Sequence, residues 1–405
     1  MKHALPFLSA LCLGLEPMAQ MPPTCVLLHA GFLTTSWGGV TETADGGVAF
    51  TGGYDPTNSG YSDVVLTKLD ASGALQWMKT YTTGITSGEY GRDILATSDG
   101  GTAVAGYLEL GQVFIMKLDA NGGQEWTKTY DAPGFFGLQM ASGFVQLPDG
   151  GYALICTSQF LPNDAWLMLR TDASGEVLWS DRLDYTGGYP RDVAAMPNGD
   201  LVFIGQETGL GNPSAILRKD GLTGATEWIH WYSAGPNYVT EMRGLVTAPD
   251  STIVVGGIVS GPTYLDAFAL ALTPDGTPLW STHIGTNEYE YAENIARAPN
   301  GDYLLAGARM QAVTSTPLGR FVVRLDPDGQ MLWSKNVSHP DATCNWPVRC
   351  AAASDGGMLL TGYAGTATNY PQSFMKLDTD GNSCPYCPSE ALGTQDTLAI
   401  ALAVD

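Results

Sequence analysis

One turn signature recurs down this chain at an almost fixed interval, and that interval restricts what the chain can fold into. Asp-Gly-Gly or a close variant, heading an apolar run, begins at Asp45, Asp99, Asp149, Asn198, Asp250, Asn300 and Asp355. The successive spacings are 54, 50, 49, 52, 50 and 55 residues. A second mark, Gly followed four residues later by Trp, falls at Gly73/Trp77, Gly122/Trp126, Gly175/Trp179, Gly224/Trp228, Gly276/Trp280 and Gly329/Trp333. A seventh copy starts at Lys376-Leu377-Asp378 and has Pro385 where Trp is due. Units of this length are single supersecondary modules that must stack on their neighbours to bury an apolar face.

Each unit reads as four strands. A short mixed segment such as Glu293–Ala298 leads to a bend in which Asp or Asn with Gly accepts left-handed backbone. An apolar run follows, as in Tyr303–Gly307 or Ile253–Gly257, then a variable loop and a third run such as Phe321–Leu325. Its closing turn is Asp-x-x-Gly, and the fourth strand carries the Trp. Strands of five to eight residues with Gly and Pro punctuation and no helical period make the chain all-β. Seven such units predict a seven-bladed β-propeller of four-stranded antiparallel blades, because radial packing covers both faces of every sheet. The recurrent Trp is expected between blades, beside glycines that permit close approach.

The beginning, Met1-Lys2-His3 followed by Ala4–Leu15, reads as a signal peptide over residues 1–19. That leaves a propeller over 20–387 and a tail over 388–405 with no repeat grammar. No stretch is long enough to span a bilayer, and an exported monomer is expected. The last unit lacks its Trp strand, while Cys25–Phe32 is strand-like. The N-terminal segment is therefore expected to close the ring as the outer strand of blade seven. Disulfide candidates are Cys25, Cys344, Cys350, Cys384 and Cys387, with Cys344–Cys350 and Cys25 with Cys384 or Cys387 favoured. Cys156, inside an apolar run, reads as a buried free thiol. A zinc site from Cys384, Cys387, Cys344 and His339 is the lesser alternative, and no metal or cofactor is expected. Asp326-x-Asp328-Gly329 and Asp378-x-Asp380-Gly381 lack the later ligands of a calcium loop and read as turns.

Lys and Arg total 19 against 41 Asp and Glu, a net charge of −22. Such a chain is unsuited to nucleic acid or anionic membranes as partners.

The Asp-x-x-Gly-x-x-x-Trp mark resembles the tryptophan-docking repeat of quinoprotein-like propellers, and Asp220–Trp228 is a copy one residue longer. The DGG…KLD-x-x-G-x-x-x-W grammar also resembles secreted bacterial repeat proteins exported with a type IX sorting tail. The resemblance runs from about Trp37 to Gly381. Quinoprotein enzymes hold their quinone against adjacent cysteines, and no two cysteines are adjacent here, so the resemblance implies the scaffold without the cofactor site.

Function, if the ring carries one, is expected where loops enter the innermost strands. Nine residues before the turn stand Tyr90, Met140, Tyr189, Glu241, Tyr291 and Trp346; seven before it stand Arg92, Ser142, Arg191, Arg243, Glu293 and Val348, with Arg349 adjacent. Alternate residues share a strand face, so aromatic and charged groups recur at one rim. Rings that stack and charged groups that bind hydroxyls or termini suit a carbohydrate or protein ligand. Packing and pairing between blades, with Arg92-Asp93 and Arg191-Asp192 forming structural salt bridges from blade to blade, is the competing role. The leading expectation is a secreted or cell-surface, non-catalytic binding or scaffold module. Alternatives are a polysaccharide hydrolase or lyase using carboxylates such as Glu241 and Glu293, or a purely structural surface repeat. His230 and His283, on fourth strands, read as structural.

Overall fold

The structure, a computed structural model, describes residues 24–27, 33–34, 38–55, 61–84, 88–131, 139–158, 165–184, 188–206, 213–236, 238–261, 265–312, 314, 316–337, 344–365, 372–383, 389–391, 394–396 and 401–403. It is a seven-bladed propeller of antiparallel sheets. Blade two shows the pattern: Glu89–Ala96 innermost, then Thr102–Leu108, Val113–Leu118 and Gln124–Tyr130 outermost. Blade one differs on its inside, where the strand is split into Leu33–Thr34 and Val40–Glu42, both paired with Val48–Asp55.

The expected closure is present. Thr24–Leu27 pairs antiparallel with Gln372–Leu377 and completes blade seven from the other end of the chain. The tail departs from its repeat-free reading. Ser389–Ala391, Thr394–Asp396 and Ala401–Ala403 add a fifth strand to the outer edges of blades six, five and four in turn. Edge pairing uses backbone groups that any sequence supplies, so no side-chain pattern announced it.

Both turns of each repeat follow from their residues. Gly46, Gly100, Gly150, Gly199, Gly301 and Gly356 hold left-handed backbone at the first, and in blade five Ser251 takes the same conformation at φ 69°. At the second, the Asp carboxylate accepts the next turn's amides: Asp119 Oδ1 takes those of Asn121 at 2.8 Å and Gly123 at 2.7 Å. Asp326 and Asp378 do the same, which accounts for those two segments as turns.

The core consists of seven clusters, each lying between two adjacent blades. One joins blades four and five through Val202, Ile204, Tyr232, Val255 and Phe268, and another closes the circle between seven and one through Phe374, Leu359, Phe50 and Val48. Phe50 and Phe374 stack at 5.7 Å across that last seam. Outside the six clusters that join blades one to seven in sequence, a Trp is seated on the next blade's second turn. A Cβ on Gly122 would lie 2.8 Å from Trp77, and one on Gly224 would lie 2.9 Å from Trp179. The indole N–H groups of Trp179, Trp228, Trp280 and Trp333 donate to Gly221, Pro274, Pro327 and Thr379 carbonyls at 3.0–3.2 Å. Hydroxyls of Tyr81, Tyr130 and Tyr232 add bonds to Gly122, Gly175 and Gly276.

Cys350 corrects one expectation. It is a buried free thiol, placed against Asn294 Oδ1 at 3.3 Å, so it forms no disulfide with Cys344. Its strand position turns it into the seam between blades six and seven, away from a chain partner. The side chains of Cys25 and Cys344, and all of Cys384, Cys387 and His339, lie outside the described residues. Cys156 is buried with its thiol facing the Leu167 carbonyl, and burial pushes it up to about 12.

Trp228→Ala removes a half-buried ring, its bond to Pro274 and its stack on His230. We expect a loss of about 2–3 kcal/mol in urea unfolding. Leu222→Ala on the exposed turn should stay within ~0.5 kcal/mol.

Candidate functional site

The innermost strands of blades two to seven share one irregularity. At Arg92, Ser142, Arg191, Arg243, Glu293 and Val348 the register slips, leaving one extra residue unpaired. A bulge bends its strand and re-aims the side chains around it. It divides the channel into a mouth on the loop side and a lower chamber on the turn side.

At the mouth, blades four to six carry an alternating chain of charge. Arg191 lies 3.7 Å from Glu241, which pairs with Arg243 at 2.8 Å, and Arg243 reaches Glu293 at 2.7 Å. The Arg191 guanidinium lies 5.8 Å from the ring of Tyr189, which is 40% exposed. Tyr291 is half-buried, edge-on to Tyr289 at 6.3 Å. The two arginines differ. Burial opposes charge on both, but Glu293 and Glu241 outweigh it at Arg243 and raise its pKa. At Arg191, burial and the neighbouring Arg243 prevail and the pKa is lowered. Arg191 Nε is buried without a hydrogen-bond partner.

The structure thus brings Tyr189, Arg191, Glu241, Arg243, Tyr291 and Glu293 together. Tyr90 and Arg92 stand apart on blade two, where Tyr90 stacks on Tyr107 at 4.9 Å and donates to Glu109 at 2.7 Å. The side chain of Trp346 lies outside the described residues. Arg191 makes its ion pair between blades, with Glu241 on the next one. The histidines are structural: His230 stacks on Trp228 at 4.7 Å, and His283 contacts Asp266 at 2.9 Å.

Just below the bulges lies a ring of residues six before each turn: Gly39, Asp93, Gly143, Asp192, Gly244, Asn294 and Arg349. Glycine makes room for the next polar group; a Cβ on Gly143 would lie 2.6 Å from Asp192 Oδ1. Asp192 accepts from the Val193 amide at 2.9 Å and from Leu245 on blade five at 3.0 Å. Asn294 accepts from the Cys350 amide on blade seven at 3.1 Å. Arg349 goes furthest. From blade seven it donates to the Ser142 carbonyl on blade three at 2.6 Å, so its side chain bridges the channel to the far side of the ring. Two carboxylates share this one cation. Burial pushes the Asp192 carboxyl up to about 7 against the pull of Arg349, with Asp93 adding to the rise. Asp93 is raised by burial too. Both line the chamber below, about 460 Å³ bounded further by Val145, Val246 and Arg297, and keep some accessible surface although protein surrounds them. Arg-Asp dipeptides hinted at this ring, but its level follows from the bulge, which sequence alone does not display.

No protein-family model matches the chain, and no curated protein sequence matches it. Solved structures share its fold. A protein of unknown function from Dyadobacter fermentans aligns at TM-score 0.53 and 13% identity, over 87% of this chain and 97% of that one. A puromycin-hydrolyzing peptidase of Mycobacterium tuberculosis aligns at 0.55 and 14%, over 93% of this chain and 56% of that one. Sqt1 of Chaetomium thermophilum aligns at 0.50 and 14%, over 88% and 86%. At these identities the likeness shows the propeller fold alone.

The Asp192 value lies above the ordinary ~3.9 of a carboxyl, so the folded state binds that proton more tightly. Its cost is greatest above pH 7, and stability should rise as pH falls from about 8 towards about 4. Asp45 and Asp99 act oppositely. Burial would raise them, but Thr43 and Lys68, and Lys117 and Thr97, hold each at about 2, so stability should fall between about pH 4 and 2. Asp192→Asn keeps an acceptor for Leu245, as Asn294 does for Cys350. Thermal melts should show it more stable than wild type at pH 8, with a much smaller advantage at pH 5. An equal shift at both would contradict the account.

Proposed function

We propose that the protein is a secreted, non-catalytic binding module whose ligand, a carbohydrate, docks at the mouth formed by blades four to six. The observation that carries this reading is Arg191: its ion pair is long, its Nε is unpartnered, and it stands beside the exposed ring of Tyr189. A tyrosine face stacks on a sugar ring, and a guanidinium with spare donors takes hydroxyls or a uronate carboxylate in fixed geometry. The paired Glu241 and Glu293 suit recognition better than hydrolysis, because both are held by Arg243 and neither stands alone as a proton donor. Secretion is supported by the leader-like first 19 residues.

A glycan array followed by calorimetry tests the assignment. Tyr189→Ala and Arg191→Ala should each weaken the best ligand at least about tenfold, roughly 1.4 kcal/mol, while Tyr90→Ala on blade two should not. Binding indifferent to both mouth changes removes the site. Ligand turnover by the folded protein would favour the polysaccharide hydrolase or lyase instead.

A further inference from the structure

The turn face, opposite the mouth, holds a cavity between blades one and two whose chemistry other seams of the same ring explain. In every blade but the fifth, the third strand ends in a cation that pairs with the Asp of the first turn: Lys68–Asp45, Lys117–Asp99, Arg170–Asp149, Arg218–Asp200, Arg324–Asp302 and Lys376–Asp355. Turn and cation vary together in five of these six blades; blade three is the exception, with Asp149-Gly150-Gly151 and Arg170, whose other bonds stay within its own blade. Blades four and six have Asn-Gly-Asp with Arg, whereas blades one, two and seven have Asp-Gly-Gly with Lys.

The consequence appears at the seams. Arg324 holds Asp302 through Nε at 2.6 Å and sends a terminal nitrogen into blade seven, to the carbonyls of Gly356 at 2.9 Å and Thr379 at 3.1 Å. Arg218 likewise reaches Pro274 of blade five at 2.8 Å. Thr379 and Pro274 are also the acceptors of the docked indoles, so guanidinium and tryptophan share one carbonyl. Lys68 cannot do this. Its Nζ is spent within blade one, on Asp45 at 2.9 and 3.0 Å and the Leu69 carbonyl at 2.9 Å.

Where the missing guanidinium would lie there is a cavity of about 320 Å³, lined by Trp77, Gly100 and Ala120. These are the positional counterparts of Trp333, Gly356 and Thr379. The space persists because Thr102 lines it, where blades three and six place Tyr152 and Tyr303 against the neighbouring Trp at 5.9 and 6.0 Å. It has room for on the order of ten waters. Its charged lining is Asp45, Asp119 and Lys68, an excess of one negative charge, with Lys68 already committed to Asp45. Lys79 caps the Trp77 ring at 5.0 Å, so the indole serves as a wall.

We propose that this cavity is a binding site for a guanidinium group, the arginine side chain of a peptide or protein partner. The ring places its own arginines in the equivalent seams between blades four and five and between six and seven. The guest would take the neighbouring blade's turn carbonyls, as Arg324 does, in planar geometry that an ammonium does not match. The site is separate from the mouth and independent of the carbohydrate assignment.

The test uses the protein labelled with 5-fluorotryptophan, the Trp77 resonance being assigned with Trp77→Phe. N-acetyl-arginine methylamide should shift that resonance with a dissociation constant on the order of 1 mM, the scale of a fragment held by a few hydrogen bonds. The lysine analogue should bind at least tenfold more weakly. Asp45→Asn/Gly47→Asp/Lys68→Arg gives blade one the turn and cation of blade six, and should abolish the shift with the other tryptophan signals in place. The reverse change, Asn300→Asp/Asp302→Gly/Arg324→Lys, should open a second site that titrates at Trp333. An unmoved Trp77 signal at ten times the expected concentration would overturn the proposal. So would equal binding of the lysine analogue, or undiminished binding in the blade-one variant.

Discussion

The structure depends on one contact made repeatedly: the outer-strand Trp of a blade lying on the second-turn glycine of the next. It is at once apolar and polar. The ring covers the glycine while, in four seams, the indole N–H satisfies a carbonyl that the same close approach would otherwise strand. Such a contact fixes both the distance and the angle between sheets. Seven sheets held at a repeated angle return to their start, and there Thr24–Leu27 supplies the strand that the seventh unit lacks. Glycine is needed at that position twice over, for its backbone conformation and for the ring above it, as at Gly122 with φ 70°.

Close approach on the outside has a cost at the centre. Seven inner strands converge, and alternation of glycine with Asp93, Asp192 and Asn294 lets them meet without clash. Each polar group that fits must then be satisfied in a narrow space. Asn294 does this without charge. Asp192 makes similar backbone contacts as a carboxylate, and Arg349 is drawn across the channel to share itself between Asp192 and Asp93. The mouth above is balanced differently, with two guanidiniums against two carboxylates and one guanidinium, Arg191, held loosely. A loosely held cation beside an exposed ring is the arrangement that leaves interaction capacity for a ligand.

The blade count, the closing strand and the tryptophan seams were legible in the sequence because local chemistry encodes them. Asp and Gly specify turns within four residues, and Trp recurs at fixed distance from one of them. The mouth was legible only as positions: counting back from Asp250 or Asn300 finds Glu241, Arg243 and Glu293. That Arg243 ties the two glutamates together needs the neighbouring blade. The bulges at Arg92 through Val348 left no mark, since a register slip depends on what the partner strand offers. Cys350 misled through its closeness to Cys344; its strand position turns it into the seam against Asn294. The tail strands at Ser389–Ala391, Thr394–Asp396 and Ala401–Ala403 were invisible because edge pairing with blades six, five and four uses backbone groups that any sequence supplies.

A ring in which each blade covers the next has no ends, and its blades should open together. Native-state hydrogen exchange in rising urea measures this directly, through the amides of the second strand in every blade and of Thr24–Leu27. The account predicts that all of them converge on one global opening, with Thr24–Leu27 protected alongside Gln372–Leu377. Blades one and seven opening far more easily than blades three to five, with Thr24–Leu27 unprotected, would describe an open array and contradict it.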